Sequence, residues 1–526
     1  MKFIKSFLLI VFFVLPVFLF AQTENIDQSV MTKIRKEGLQ NSKVMDIAFH
    51  LTELSGSRVT NSPGFMRAAN YARNQLTEWG LKNSKLDPWG DFGKGWDLEK
   101  SYIAISSPWY KSLIAYPKTW SAGTNGLQRG EVLLISVKDS VVLDAYRGKL
   151  KGKVLILDSL INFEQSFAPA AVRRTDEELQ KMSDVKEAED TAVMRRRRER
   201  NRAQNGIPRG MLTALKKLAQ KEGAIAILSS ASDNHGGTVF VLQAGPFKIS
   251  DPANFLDIAI GLEDYNMIIR LLRNNTPVKM DVDVKTTFQS TDAKGYNVIA
   301  EIPGIDNNVK DEIVMLGAHL DSWPAANGAT DNAAGVCVMM EAVRILEAIG
   351  IRPKRTIRIA LWGGEEEGLL GSIGYVKKTF GDPATMKLLP AHEKFSVYFN
   401  LDNGGGRILG IHLQGNDAAR NVFQNWFAPF NDLRAKTVSI QNTGSTDHIS
   451  FDVVGLPAFQ FIQDRIISQH SNMDSFDHLV PDDLKQSATI VAAFVYNAAM
   501  RDQKIPRKEL PKPLSIDPIT GAKNSR

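Results

Sequence analysis

The stretch IVMLGAHLDSWPAANGATDNAAGVCVMMEAVRILEAIGIRPKRTIRIALWGGEEEGLLGS, residues 313–372, decides the fold. IVMLGAH is a short apolar run of strand length. TDNAAGVCVMMEAVRILEAIG reads as a helix closed by Gly350. RTIRIALWGG is a second buried strand, and EEEGLLGS opens a turn and a further helix. A strand, a helix and a strand in that order argue for a mainly parallel sheet with helices on both faces. KFSVYFNLD and LPAFQFIQD add two more strands downstream, so residues 291–505 read as one α/β domain.

Upstream, residues 51–81 combine a Ser/Pro/Gly turn with an amphipathic helix that stops at Gly80. EVLLISV and KGKVLILDS then read as strands, MLTALKKLAQKEGA as a helix and IAILSS as a strand. These suggest an inserted β-rich domain over 111–290, with 22–110 as the first part of the catalytic domain and KGYNVIAEIPG as the return into it. Within the insert, Arg173 to Arg202 is acidic first and then basic, ending in RRRRER at 195–200. No aromatic residues interleave with those arginines, so a solvated helical excursion is expected rather than a nucleic-acid surface. Residues 506–526, rich in lysine and proline, read as a tail.

The amino terminus carries Lys2 and Lys5, an apolar run over 7–20 and Ala21 before a polar switch. That pattern is a cleavable secretory signal over 1–21, with no stable membrane anchor after cleavage. Export implies the periplasm or the exterior. The chain has 526 residues, 43% hydrophobic and 23% charged, as an ordinary two-domain globular protein would. Its net charge of +6 falls to +4 once Lys2 and Lys5 leave with the signal. So mild an excess predicts no polyanionic partner. The single cysteine, Cys337, excludes an intrachain disulfide and sits in an apolar helix, as a small core residue does.

In open α/β sheets the working site lies beyond the carboxyl ends of the strands, and metal-type residues fall there. His319 ends the first strand, and Asp321 is placed to accept its second ring N–H. Asp331 stands at the mouth of the helix, where an N-cap would explain it equally well. Glu365, Glu366 and Glu367 follow the next strand, three carboxylates that repel one another unless cations offset them. Asp402 follows NLD, and QHSNMDSFDH carries His470 and Asp474. Two histidines with three carboxylates and a spare glutamate suit two zinc ions better than calcium or magnesium.

HLDSW, TDN, EEEGLLGS, NLD and HSNMD, in this order, resemble family twenty-eight of the metallopeptidases, co-catalytic zinc aminopeptidases and plasma glutamate carboxypeptidase-like enzymes. The twelve-residue step from His319 to Asp331 and GIRPKRTIRIALW are most similar to the latter subgroup. The insert resembles a protease-associated domain. The resemblance implies the zinc exopeptidase (phosphorylase/hydrolase-like) fold. It also implies an Asp331 bridge between two Zn2+ ions, with His319 and Asp402 on one and Glu366 and His470 on the other. Glu365 would be the general base, Asp321 a catalytic partner of His319, and Asp474 would lie behind the ligands.

Two departures are visible. Asn332 replaces a common aspartate, which puts an unusual backbone geometry at that bond in doubt, and Gln469 replaces a tyrosine that serves as oxyanion donor. Asp447 and His448 are open candidates for the site wall, against a packed loop. His478 is an alternative to His470, while His50, His235, His392 and His412 lie outside the motifs. Peptides are the expected substrates, with aminopeptidase action favoured. The alternatives are a carboxypeptidase or dipeptidase, a one-zinc glutaminyl cyclase, and a catalytically silent receptor-like protein. A homodimer is compatible with the sequence.

Overall fold

The computed structural model describes residues 24–136, 143–165, 167, 169, 171–188, 209–466 and 469–514. The expected signal and the RRRRER run lie outside the described residues.

One sheet carries the site. Its strands are β1 (Lys82–Asp91), β2 (Lys294–Ile302), β3 (Ile313–His319), β4 (Thr356–Trp362), β5 (Phe395–Asn400), β6 (Ile408–His412), β7 (Thr437–Ser439) and β8 (Ala458–Gln463). They lie in the order β1-β2-β4-β3-β5-β8-β6-β7. The four central strands, β4, β3, β5 and β8, are parallel. Antiparallel pairing appears only toward the flanks, between β1 and β2, β2 and β4, and β8 and β6.

The centre is parallel because it is buried on both sides. Every residue of β3 is buried. Val314, Leu316 and Ala318 face one helical layer, and Ile313 and Met315 face the other. Each fully buried aliphatic side chain of this kind contributes about 1.5–3 kcal/mol.

The first layer holds α1 (Gln28–Gln40), α2 (Val44–Leu51), α3 (Pro63–Glu78), α4 (Ala334–Ala348) and α6 (Pro481–Met500); α5 (Leu370–Thr379) packs on the opposite face. In α3, the Ser62 hydroxyl accepts the Phe65 N–H and Pro63 occupies the first turn, as the Ser/Pro turn predicts. Helix α4 is buried all round from Ala334 to Leu346, which its nearly uniform apolar sequence requires. Its first turn needs Gly335, because a Cβ there would meet Asn332 Oδ1 and the Leu401 carbonyl, both at 2.4 Å.

A second eight-stranded sheet forms the insert. Gly95–Ser107 pairs along its length with Lys279–Gln289. Beyond these, Gln128–Ile135, Val154–Leu157, Ala226–Ser229 and Asp257–Ile260 run parallel. The second sheet thus takes in a strand that starts at Gly95, ahead of residue 111, where the sequence reading opens the insert. The strand WDLEKSYIAISS is polar and exposed in its middle, so only its distant partner identifies it.

The excursion also differs from expectation. Asp176–Ser183 is a helix with a capping box between Thr175 and Glu178. It does not float in solvent, since Leu179 is buried against Leu409 and Ile462. The expected tail is likewise docked in its first part: Arg507 donates to the His392 and Phe395 carbonyls, and Lys508 to the Gln414 carbonyl. Among the described residues no helix is long and apolar enough to cross a membrane.

Candidate metal centre

The carboxyl ends of β3, β4 and β5 converge with the loop after β8. His319 closes β3, and its Nε2 lies 3.0 Å from Asp331 Oδ1 and 3.4 Å from Asp402 Oδ1. On the other side, His470 Nε2 lies 2.9 Å from Asp331 Oδ2 and 3.1 Å from Glu366 Oε2. The two oxygens of Asp331 thus face two different histidines.

Two groups of potential ligand atoms result, each within a 4.8 Å span: His319, Asp331 and Asp402, then Asp331, Glu366 and His470. Glu365 belongs to neither, although it is buried beside them. Of the adjacent glutamates, only the second has a ligand position.

The surroundings hold these atoms in place. Asp474 accepts from the Thr330 N–H at 2.6 Å, the Thr330 hydroxyl at 2.7 Å and the Asp331 N–H at 3.0 Å, so it stands directly behind Asp331. Trp323 Nε1–H donates to Glu366 Oε2 at 2.8 Å.

Asp321 corrects one expectation. His319 Nδ1 meets the Asp321 main-chain oxygen at 3.1 Å, whereas the carboxylate is 3.7 Å away. That carboxylate instead accepts the Glu365 and Glu366 N–H groups at 3.2 and 3.0 Å. It positions the acidic turn more directly than it orients the imidazole.

The Asp331–Asn332 peptide is cis, so the unusual backbone is present with asparagine in that place. The Asn332 amide donates to the Leu401 carbonyl and accepts from the Gly335 N–H, both at 2.9 Å. An ionised aspartate could not make the first of these bonds.

Arg58 escaped the sequence reading. Fully buried, it donates to the carbonyls of Leu320, Leu51, Asn327 and Gly328, and so ties together the loops on either side of Trp323. A lone arginine in SGSRVT carries no local signal of this, because its acceptors lie elsewhere in the chain.

Burial raises Glu366 to about 7, aided by Asp331. Glu365 is pushed well above the carboxylate range, first by burial and then by Asp402 and Glu366. Burial opposes charge on the histidines, but the Asp402 and Glu365 charges raise His319 well above its usual value, and Glu366 and Asp331 take His470 to about 11. These shifts describe a buried cluster with surplus negative charge, the condition that divalent cations relieve. Glu366 Oε1 is buried without a hydrogen-bond partner among the described residues, which leaves a lone pair for such an ion. Mixed imidazole and carboxylate donors fit zinc.

Asp447 and His448 part company. His448 packs against Gln414, Nε2 to Nε2 at 2.6 Å, and burial takes it down to about 3, so it belongs to the packed loop. Asp447 is fully buried and raised to about 8, by burial and then by Asp321 and Asp402, with His319 and Ser372 opposing. It feels the cluster and borders it.

The remaining histidines lie outside both ligand groups. His478 caps a turn at Ser475, His50 stacks on Tyr71, His235 meets the edge of Phe163, His392 bonds the Val454 carbonyl, and His412 is buried and lowered to about 4. Cys337 is buried.

Residues 297–495 match Peptidase family M28. Carboxypeptidase Q of Mus musculus is 26% identical over 298 residues, 55% of this chain and 59% of its own length. The match thus spans between half and three-fifths of such curated relatives. In fold, the chain is similar to a Peptidase M28 precursor from Shewanella amazonensis SB2B, with a TM-score of 0.63 at 23% identity over 92% of this chain and 99% of that one. It is also similar to BSAP, a zinc aminopeptidase from Bacillus subtilis, with a TM-score of 0.54 at 18% identity over 89% and 97%. All five side chains of the two ligand groups fall inside the stretch, residues 297–495, that is similar to Peptidase family M28.

Proposed function

We propose that the chain is an exported exopeptidase with two zinc ions, Asp331 bridging them, and that it removes amino-terminal residues from peptides. The observation that carries the reading is the division of Asp331 between two histidine-carboxylate pairs. Zinc held there supplies Lewis acidity toward a water molecule and the scissile carbonyl.

The chain's own residues do the rest. Glu365, close to the ligands but outside both groups, accepts the water's proton and passes it to the leaving amine. Asp321 fixes the main chain of Glu365 and Glu366 together, so base and ligand keep a constant offset.

Amino-terminal specificity is supported by the sign of the charge around the cluster. The buried cation of the cluster, Arg58, feels Asp474, Asp321, Asp331 and Glu366 but spends its guanidinium on the carbonyls of Leu320, Leu51, Asn327 and Gly328, so it is not offered to a substrate carboxylate. Recognition of a carboxyl terminus calls for such a cation, whereas surplus carboxylates favour a substrate ammonium.

A panel of short peptides tests this. Release of the first residue from free peptides, and none from N-acetylated ones, is the expected result. Cleavage of the acetylated peptides from the other end assigns carboxypeptidase action instead, and pyroglutamate formation from Gln-initiated peptides assigns a cyclase. A zinc-free protein without hydrolysis leaves a receptor-like binding role.

A further inference from the structure

The ligands are not equally anchored. His319 ends a buried strand, and the side chains of His319, Asp331, Glu366 and Asp402 are 1%, 7%, 6% and 11% exposed. His470 is 40% exposed and sits on a loop with a left-handed φ of 60°, a conformation uncommon outside glycine.

Its surroundings come from the insert. The Val241 N–H donates to the His470 carbonyl at 2.9 Å. Two residues on, the Asn472 side chain accepts from the Val239 N–H at 2.7 Å and donates to the Gly237 carbonyl at 3.0 Å, while its main-chain N–H reaches the Val239 carbonyl at 3.1 Å. On the other flank, Ala171 and Val172 pair with Ile466 and Arg465. The Arg174 N–H then donates to Asp464 at 2.7 Å, and Arg173 forms an ion pair with the same carboxylate at 2.8 Å. The chain approaching His470 and the chain leaving it are therefore both held by the inserted domain.

We infer that the insert sets the occupancy of one metal position, that of Glu366 and His470, with Asn472 as the positioning residue that couples them. The position of His319 and Asp402 is built by β3 and β5 and does not depend on the insert. This inference rests on the two-ion reading above and adds an asymmetry to it: loosening the insert costs the second ion and spares the first.

Zinc titration of the full-length mature protein by calorimetry tests it, on the wild type, Asn472→Ala and Asn472→Asp. The aspartate keeps the acceptor for Val239 and loses only the donor to Gly237. The expected result is two ions in the wild type, an unchanged first ion in both variants, and a second ion weakened about 10–100-fold in Asn472→Ala and less in Asn472→Asp. Melting of the metal-free proteins should coincide, which separates positioning from general destabilisation. A second ion bound equally well by Asn472→Ala overturns the inference, as does equal weakening of both ions or a lowered metal-free melting temperature. A wild type that binds no zinc removes the two-ion reading and this inference with it.

Discussion

Glu365 and Glu366 are neighbours in the chain, yet only Glu366 shares a ligand group with His470. Glu365→Gln should therefore keep both zinc ions and its melting temperature while losing about 100-fold or more in kcat, since only proton transfer is removed. Glu366→Gln should lower the zinc content toward one ion per chain. Elemental analysis beside steady-state kinetics reads both, and loss of metal from Glu365→Gln would reverse the two assignments. Arg58→Met leaves buried carbonyls of Leu320 and Gly328 without donors and should cost about 3 kcal/mol in denaturant unfolding. An unchanged midpoint would show that water replaces the guanidinium. That His319, Asp331, Glu366, Asp402 and His470 gather in space was legible in the sequence because all of them fall at or beyond the carboxyl ends of strands. Arg58 and Trp323 were not, because their importance lies in acceptors that only the folded chain brings near. Asp321 was half legible: its place in the site was readable, but which of its oxygens meets His319 depends on a fraction of an ångström.

At the scale of elements, the parallel centre of the sheet was readable because strands such as β3 are apolar throughout, the mark of burial on both faces. Gly95–Ser107 was not readable as a strand because LEKS interrupts its apolar pattern and its partner lies far along the chain. The excursion and the tail were misread for a related reason. Charged and proline-rich segments look solvated, yet Leu179 is buried in the one and Arg507 is bonded to main-chain carbonyls in the other. Truncation after Gln503 should expose the Ile505 site and remove the Arg507 bonds, as well as the Lys508 contacts to Asp452 and the Gln414 carbonyl. The expected loss is about 2–4 kcal/mol in the unfolding of the sheet that carries the metal centre. A truncated protein with wild-type stability would show that the docked segment contributes nothing.

For the whole molecule, the metal centre couples folding to pH. Burial raises Glu366 to about 7, Asp447 to about 8 and Asp474 to about 6 in the metal-free protein. A carboxyl with a raised folded pKa favours folding when neutral, so stability falls as pH climbs from about 4 toward those values. His470, raised to about 11, contributes stability that is complete below about 6.5 and declines above it. The metal-free protein should thus become less stable from pH 5 to pH 8, while zinc, which binds deprotonated ligands, stabilises more. Thermal melts with zinc and with chelator should diverge across that range, and a gap that narrows would contradict the placement of these carboxylates around a cation site. The most direct measurement is anomalous diffraction at the zinc edge from crystals grown with zinc. The account predicts two peaks about 3.5–4 Å apart, one touching His319 and Asp402, the other Glu366 and His470, with Asp331 between them. No peak at Asp331, or zinc bound only at residues outside these five, would contradict it.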